Sequence, residues 1–382
     1  MRSRPAMGCS SLTSGLRYLA LPARGICLTF AGSIRGGEGG VAGGAFLKGA
    51  GLYDRPITSV ASNRQALEPV PACPVCNREE ARPRFEIEGL ASRLLVCPGC
   101  DLGRLHPIPA SKVLLEFYPD DYYGEPGTKF QPLIEGLVRW VGTRHSDFLT
   151  RGLAANARVL DVGCGRGVVL GALADRGFEV HGVEISAEAA RGADPRAEIR
   201  VATRLADADY PEAFFDLVLI WHVLEHLEDP RATLAEVHRI LRPGGRLIVA
   251  VPNFGSLQAR WMGAHWFHLD LPRHLYHFPI RALRDLFAAI GFAIEGEYHF
   301  SLRQNPFGWI QSALNFFPGL PRNGLYTLLH RRSRAESPPF GPGVRRWLWF
   351  LLLLGAPISL ALTFFETAVR SGATVHLVAR KR

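Results

Sequence analysis

Acidic residues are scarce at both ends of this 382-residue chain. Residues 1–65 contain eight basic and two acidic side chains, residues 301–382 contain eleven and two, and residues 66–300 contain 25 and 31. The net charge of +9 therefore comes entirely from the two ends. Because an enzyme that acts on nucleic acid needs positive charge around its reaction centre, this distribution argues against a nucleic-acid partner. A C-terminal part that is both basic and apolar suits an anionic membrane surface better.

The first 65 residues also lack apolar periodicity, and they lack the continuous apolar core of a signal peptide. They are rich in Gly, Ala, Ser and Arg, a composition that predicts disorder. An arginine-rich, acid-poor leader is typical of transit peptides. An over-extended start of translation explains the same composition equally well.

The glycine run Asp-Val-Gly-Cys-Gly-Arg-Gly at residues 161–167 lacks the last glycine of a dinucleotide-binding fingerprint, a position that Val168 takes here. The run follows a short apolar segment, residues 158–160, and opens a helical pattern. Its glycines permit positive φ and let backbone N–H groups approach a ligand closely. The leading carboxylate, Asp161, suits a cationic ligand rather than a pyrophosphate.

Strands and helices continue to alternate after the glycine run. Residues 178–184 predict a second strand that ends at Glu184, where a carboxylate can accept hydrogen bonds from both hydroxyls of a ribose. Ser186 then caps a short predicted helix. The later segments are a buried fourth strand at residues 215–220, a Leu-Arg-Pro-Gly-Gly turn at residues 241–245 and a fifth strand at residues 246–251.

These motifs, in this order over roughly residues 153–300, resemble the class I S-adenosylmethionine-dependent methyltransferases. The resemblance implies an α/β fold with a seven-stranded, doubly wound sheet, and S-adenosyl-L-methionine as the cofactor. The cofactor-binding residues would then be Asp161, Gly163, Cys164, Gly165, Gly167, Glu184, Ile185 and Trp221. Cys164 is interpreted as a packing residue of this loop and not as a nucleophile.

Two Cys-x-x-Cys pairs precede this region, Cys73 with Cys76 and Cys97 with Cys100, and 20 residues separate them. This spacing predicts a zinc ribbon with a structural four-thiolate Zn²⁺ site, which leaves no open position for chemistry. Short strands near residues 85–88 and 93–96 would connect the pairs. Disulfides or idle thiols are the alternative, but nothing in the sequence indicates an oxidising compartment.

An aromatic segment, Phe-Tyr-Pro-Asp-Asp-Tyr-Tyr-Gly at residues 117–124, follows the cysteines. A ribbon, this segment and the core together resemble a bacterial group that includes sugar C-methyltransferases and enzymes of surface-polysaccharide pathways. The resemblance implies that Tyr122 and Tyr123 help to close the substrate pocket. The alternative is an aromatic turn that packs the ribbon onto the core.

Candidate acid–base groups follow the fourth strand, at the sheet edge where ligands bind. Glu225 and His226 match the acid–base pair of the sugar C-methyltransferases that this stretch resembles. His222 lies four residues before His226, so the two would share a face if the segment is helical. The alternative is that the pair only caps and orients the following helix.

A second polar cluster lies in the aromatic segment 266–278 after the fifth strand. His274 is a further catalytic candidate, and Arg273 and His277 are predicted substrate contacts, with the arginine able to hold a phosphate or carboxylate in fork geometry. Metal binding by these histidines is disfavoured because methyl transfer does not require it and their spacing is irregular. A purely structural, hydrogen-bonded lid is the alternative.

Residues 347–365 carry no charge and are just long enough to span a bilayer. Residues 374–379, however, alternate like a strand that should pair with residues 292–300 in the core sheet, which would keep both ends of the insertion on one side of a membrane. We therefore favour a monotopic hairpin with residues 302–329, over a true span or a soluble cap or dimer face. Gly355 and Pro357 would bend the segment. A basic band for lipid phosphates would come from Arg331, Arg332, Arg334, Arg345 and Arg346.

The sequence thus predicts five regions. They are a disordered extension (1–65), a zinc ribbon with aromatic linker (66–125), a methyltransferase core (126–300), an apolar helical insertion (301–372), and the last core strand with a basic tail (373–382). The expected enzyme methylates a small or lipid-linked acceptor, a sugar or glycolipid precursor, at the cytoplasmic face of a membrane. The alternatives are an RNA methyltransferase of the ribosomal type and a non-catalytic binding protein.

Overall fold

The computed structural model describes residues 57–59, 69–110, 113–114, 147–329 and 340–382. Tyr122 and Tyr123 lie outside these ranges, so the predicted pocket closure by the two tyrosines lies outside the described residues. Most of region 1–65 lies outside them as well.

Two sheets organise the described chain. The strands are β1 (Ile57–Ser59), β2 (Arg82–Ile87), β3 (Arg93–Val96), β4 (Gly103–His106), β5 (Arg158–Val162), β6 (Glu179–Glu184), β7 (Glu198–Val201), β8 (Phe215–Trp221), β9 (Leu241–Pro252), β10 (Tyr276–His277), β11 (Phe292–Tyr298) and β12 (Thr374–Lys381). The helices are α1 (Val168–Ala174), α2 (Ala187–Arg191), α3 (Pro230–Ile240), α4 (Leu257–Met262), α5 (Ile280–Ile290), α6 (Asn305–Leu314), α7 (Gly324–Leu329) and α8 (Pro342–Ala368).

The smaller sheet, called the ribbon sheet below, has the order β1-β2-β3-β4-β10 with antiparallel neighbours. It confirms the short strands predicted near residues 85–88 and 93–96. It also corrects the disorder predicted for residues 57–59, which form β1. Ile57 pairs with Ile87 and is buried against apolar side chains, among them Phe85 and Leu94, so this short stretch gains enough contact to be ordered.

The larger sheet, called the core sheet, confirms the predicted seven-stranded architecture, with the order β11-β12-β9-β8-β5-β6-β7. The five strands from β9 to β7 are mutually parallel, and β12 is antiparallel to both of its neighbours. Residues 217–220 of β8 and 247–251 of β9 are continuous apolar runs with essentially no exposure. Such runs form strands because both faces of a parallel sheet are covered.

Side-chain caps begin two of the helices, and one of these caps was predicted from the sequence. The Ser186 hydroxyl accepts a hydrogen bond from the Ala189 N–H at 3.2 Å and starts α2, as predicted. Asp229 caps α3 in the same way, accepting from the Ala232 N–H at 2.8 Å. These caps fix where each helix begins beside the carboxyl edge of the core sheet.

The predicted turn at residues 241–245 is instead the irregular beginning of β9. Leu241 pairs with Phe215 of β8 and pairing resumes between Arg246 and Leu217, so residues 242–245 bulge out of the ladder. Gly244 has a φ of 72°, which only glycine adopts readily. The sequence therefore predicted an interruption at these residues, but it placed the start of the strand five residues too late.

The apolar insertion connects two neighbouring strands of the core sheet, β11 and β12. The predicted pairing of β11 with β12 is confirmed, from Phe292 with Lys381 to Tyr298 with His376. The two predicted apolar stretches pack on each other, with Ile310 of α6 and Leu348 of α8 in one buried cluster. By length and composition α8 could cross a membrane. It continues as a single helix through Gly355 and Pro357, where a bend was predicted.

Candidate active site

The glycine run forms a tight loop between β5 and α1. Gly163, Gly165 and Gly167 all have positive φ, of 73°, 53° and 64°. The Gly163 N–H donates to the Val183 carbonyl at 2.7 Å, which ties the loop to β6. A Cβ on Gly163 would lie 2.5 Å from a methyl carbon of Val223, so the close approach of the two loops also requires glycine there.

Glu184, at the end of β6, uses one carboxylate oxygen to hold this loop and the other to hold the start of α2. Its Oε2 accepts from the Gly165 N–H at 2.8 Å and its Oε1 from the Ser186 N–H at 3.0 Å. A carboxylate oxygen has two lone pairs, so these bonds leave acceptor capacity for ribose hydroxyls. The arrangement fits the predicted role, and the same hydrogen bonds help to fix the shape of the loop.

Asp161 is buried at the end of β5, and burial raises the pKa of its carboxyl to about 7, with a smaller contribution from the charge of Glu184. A cation placed beside these two acids would stabilise their ionised forms. Burial also raises the pKa of the Cys164 thiol, and the nearby charges of Asp161 and Glu184 raise it further. A protonated thiol is a poor nucleophile, which agrees with a packing role.

Apolar side chains lie exposed beside this loop. Ile185, next to Glu184, is 63% exposed, and Val168, which follows the glycine loop, is 77% exposed. The ring of Trp221, at the end of β8, stacks on His376 of β12 with centroids 4.7 Å apart. The cofactor-contact roles of Ile185 and Trp221 stay predictions, and the stacking partner of Trp221 was not foreseen.

His222 and Glu225 form a pair, although not on a helix. His222 has a φ of 54°, and residues 224–226 form a single 3₁₀ turn, so the predicted shared helical face of His222 and His226 is wrong. The His222 Nδ1 lies 3.3 Å from Glu225 Oε1. Glu225 Oε2 and His222 Nε2 are buried and have no hydrogen-bond partner among the described residues.

Three further histidine rings are each fixed by a backbone carbonyl. The contacts are His226 Nδ1 to Arg273 O at 3.0 Å, His274 Nδ1 to His268 O at 3.0 Å, and His277 Nε2 to Leu269 O at 2.8 Å. Because a carbonyl only accepts, the named nitrogen of each ring carries the proton. The other nitrogen of each ring then presents a lone pair.

These rings are neutral at physiological pH. Burial lowers the pKa of His277 to about 4, and it lowers the pKa of His226 and of His274 as well. The same cause lowers the pKa of His268 to about 3. The structure thus brings together the predicted His226, His274 and His277, with centroids of His226 and His274 4.6 Å apart.

Arg273 faces a protein carboxylate. Its Nη2 and Nε donate to Asp270 Oδ1 at 2.6 and 3.1 Å, and the side chain is largely buried. The fork geometry predicted for a substrate anion is therefore directed at Asp270, which also lies 3.6 Å from His274 Nε2. A substrate role for Arg273 stays a prediction and would require this ion pair to be shared.

Two groups of side chains have metal-ligand spacing. The thiols of Cys73, Cys76, Cys97 and Cys100 converge, with Sγ–Sγ distances of 3.5 Å for Cys73–Cys100 and 3.4 Å for Cys76–Cys97. No disulfide joins these four thiols. The hydrogen bond with Cys100 lowers the pKa of the Cys73 thiol. This donor set fits the predicted structural Zn²⁺, which would be held by the four sulfurs.

The second group combines residues predicted as acid–base candidates. Ligand atoms of Glu225, His226 and His274 lie within 4.8 Å of one another. Sequence spacing gave no sign of this convergence, because His274 comes from a separate segment.

A buried polar network behind the histidines was missed. Gln258 of α4 donates to the Asn305 carbonyl at 2.8 Å and contacts Glu366 of α8 at 3.4 Å. Burial raises the pKa of Glu366 to about 8. Glu366, the acid that directly follows the uncharged stretch 347–365, was the sequence signal for this network.

Known proteins resemble part of this chain in sequence. The family described as "Methyltransferase domain" matches residues 138–297. Ubiquinone biosynthesis O-methyltransferase of Maricaulis maris is 31% identical over 179 residues, which cover 44% of this chain and 70% of that protein. The protein of the same name from Alkalilimnicola ehrlichii is 39% identical over 105 residues, 25% of this chain and 42% of that protein.

Among solved structures, an S-adenosylmethionine-dependent methyltransferase from Archaeoglobus fulgidus matches with 18% identity and a TM-score of 0.41, covering 65% of this chain and 98% of that one. The glycine loop, the acids that end β5 and β6, the strand order and the Maricaulis relative agree. This chain belongs to the S-adenosylmethionine-dependent methyltransferases, and it is an enzyme of that family.

Proposed function

We propose that this enzyme methylates a hydroxyl oxygen of a lipid-linked acceptor, a sugar or glycolipid precursor, at the cytoplasmic face of a membrane. The observation that carries the proposal is the inverted polarity of α8, which packs on α6, the helix that contacts the histidine-bearing segment. The names of the relatives support transfer to oxygen.

The outward face of α8 is apolar. Its exposed side chains include Trp347, Phe350, Leu353, Leu354, Ile358 and Phe365, with Leu353 74% exposed. The inward face of its C-terminal half is polar instead, because Ser359, Thr363 and Glu366 are buried. A soluble helix has the opposite arrangement. Polar groups inside and apolar groups outside are typical of a helix in contact with lipid.

Two features favour a bilayer interface over a protein partner. Arg345 and Arg346 are exposed in the first turn of α8, where they could meet anionic headgroups. Both ends of the insertion return to the core sheet, which excludes a single crossing of a bilayer and supports a helix that lies at its surface. Arg331, Arg332 and Arg334 lie outside the described residues.

The insertion also contacts the segment that carries the histidines. The Phe267 N–H donates to the Ser312 hydroxyl at 2.9 Å, and the Arg322 guanidinium donates to the Ala264 carbonyl at 2.8 Å. His265 Nδ1 lies 2.8 Å from the Asn315 carbonyl. We call residues 222–226 and 266–278 and the segments that support them the acceptor side of the site. A headgroup at the membrane surface would be close to this side.

Different residues would bind the cofactor, remove the proton of the acceptor and orient the acceptor. Asp161 and Glu184 would hold the cationic and ribose parts of the cofactor, whose sulfonium supplies the activated methyl group. An acceptor hydroxyl must lose its proton as it attacks. His222 Nε2 is the base in this proposal, because Glu225 accepts from Nδ1 and stabilises the charged ring, as carboxylates do for catalytic histidines. His226 and His274 would bind and orient the hydroxyl.

Two measurements test the proposal. The purified chain should co-sediment with anionic vesicles at low salt and less with neutral ones, and label from methyl-labelled S-adenosylmethionine should appear in lipid extract. Complete recovery in the supernatant with both vesicle types would refute membrane binding. Label only in water-soluble nucleotide sugars would refute the lipid-linked acceptor. Tight binding of RNA in a filter assay would instead favour the RNA alternative.

A further inference from the structure

The ribbon sheet is completed by a strand from the acceptor side of the site. β10 (Tyr276–His277) pairs antiparallel with β4, with Tyr276 opposite Arg104 and His277 opposite Gly103. The strand that follows the second cysteine pair thus hydrogen-bonds the segment that bears His274 and His277. The ribbon sheet therefore includes a strand of the segment that carries His274 and His277, and the ribbon is not a separate structural unit.

Leu275 joins the ribbon to the acid–base pair by its backbone. Its carbonyl accepts from the Leu105 N–H at 2.8 Å, and its own N–H donates to the Glu225 carbonyl at 2.8 Å. One residue therefore connects β4 directly to the residue that holds His222. The Tyr276 hydroxyl adds a bond to the Glu228 carbonyl at 3.1 Å.

The cysteines themselves are buried against the same region. Cys73, Cys97 and Cys100 belong to one apolar cluster with Leu224 and Phe278, which flank Glu225 and His277 in the chain. From the other side, Arg231 of α3 donates to the carbonyl of Pro74, inside the first cysteine pair, at 3.1 Å. Three of the four cysteines thus share one apolar core with the residues that flank Glu225 and His277.

Gly103 marks where ribbon and acceptor segment approach most closely. A Cβ built on this residue would lie 2.9 Å from the Cβ of His277 and 3.3 Å from a ring carbon of Phe254. Neither neighbour is the flexible end of a long side chain, so a larger residue at Gly103 must displace β10. The cofactor loop, in contrast, is tied to β6 through Val183 and Glu184.

We propose that the four-cysteine ribbon is the positioning element of the acceptor side, acting through β4 and Leu275 on Glu225 and His277. Bound zinc supplies folding energy to the ribbon. Zinc loading then sets the geometry of the acid–base segment while leaving the cofactor side intact. Loss of zinc, by chelation or thiol oxidation, would uncouple cofactor binding from methyl transfer. This inference rests on the proposed role of Glu225.

The first experiment follows amide hydrogen exchange of the full chain before and after zinc removal with a chelator and reductant. We expect exchange in peptides covering 93–106, 222–228 and 268–278 to rise at least tenfold. Peptides covering 158–167 and 179–186 should change less than twofold, and calorimetry should still detect S-adenosylmethionine. Unchanged exchange in 268–278, or an equal rise at the cofactor loop, would overturn the inference.

The second experiment keeps zinc in place. Gly103→Ala should retain one zinc per chain and wild-type affinity for S-adenosylmethionine, yet exchange several-fold faster in 268–278. Gly319→Ala is the matched control, because a Cβ there meets nothing within 4 Å. Wild-type exchange in Gly103→Ala, or loss of cofactor binding, would contradict the inference. Failure to methylate any acceptor, with this coupling intact, would count against the proposed function alone.

Discussion

The cofactor side and the acceptor side of the site are built in different ways. The cofactor side uses one contiguous strand–loop–helix unit and the end of the next strand, fixed by bonds such as Gly165 N–H to Glu184. The acceptor side combines residues 222–226, residues 266–278, the ribbon and the helical insertion. A contiguous unit can bind its ligand on its own, whereas a composite site depends on every segment that supports it.

The largest expected effect is a loss of methyl transfer, without a loss of cofactor affinity, when Glu225 is replaced. Glu225→Gln should lower the rate of label transfer to lipid extract by roughly 10²–10⁴-fold, the usual worth of acid–base catalysis. The affinity for S-adenosylmethionine, measured by calorimetry, should stay within about twofold. A rate close to wild type would remove His222 and Glu225 from the chemistry and would leave only a positioning role for this side.

A smaller effect is expected from the cofactor side. Asp161→Asn should weaken S-adenosylmethionine binding about 100-fold, or about 2.7 kcal/mol, because a cation loses its buried anionic partner. Glu188→Gln, which changes an exposed acid on the neighbouring helix α2, is the control. Equal affinities of the two variants would show that Asp161 does not contact the charged part of the cofactor.

The pH dependence of stability gives a third comparison. The folded-state pKa of Asp161 is raised from 3.8 to about 7, so its proton stabilises the fold at low pH and this contribution is lost as pH rises through 7. The cofactor-free protein should lose about 2 kcal/mol of stability between pH 5 and 7 relative to Asp161→Asn.

Thermal denaturation at both pH values measures this difference. Saturating S-adenosylmethionine should reduce the loss, because the bound cation favours the ionised carboxylate. Identical pH profiles for wild type and Asp161→Asn would show that this carboxyl titrates normally.

The smallest effect concerns the membrane face. Leu353→Glu places a charge at the most exposed apolar position of α8 and should weaken binding to anionic vesicles about tenfold, or about 1.4 kcal/mol. Val201→Glu, at an exposed apolar position on β7, should bind like wild type. Equal weakening by both variants would indicate a general charge effect and not a specific contact of α8.

Sequence motifs predicted the cofactor side well because its determinants are local. The glycine run, Glu184 and the Ser186 cap all lie within 26 residues, and strand order follows from the family pattern. The seven strands and the return of β12 to the sheet were predicted for the same reason. The domain boundaries proposed from composition stay predictions.

The acceptor side was predicted only as a collection of residues. His222 adopts a positive φ that no pattern indicates, and the ion pair of Arg273 with Asp270 depends on a tight local turn. β10 has two residues and no strand pattern, so its union with β4 could not be foreseen. The contact of Gln258 with Glu366 joins residues 108 positions apart, beyond the reach of any local rule.

The position of β12 has a consequence for how the enzyme is made. This strand lies between β9 and β11, yet the chain reaches it only after α8. During synthesis α8 is therefore made before the strand that closes the core sheet. The core sheet stays open between β9 and β11 until β12 has been added, so the whole insertion must fold back before the sheet can be completed.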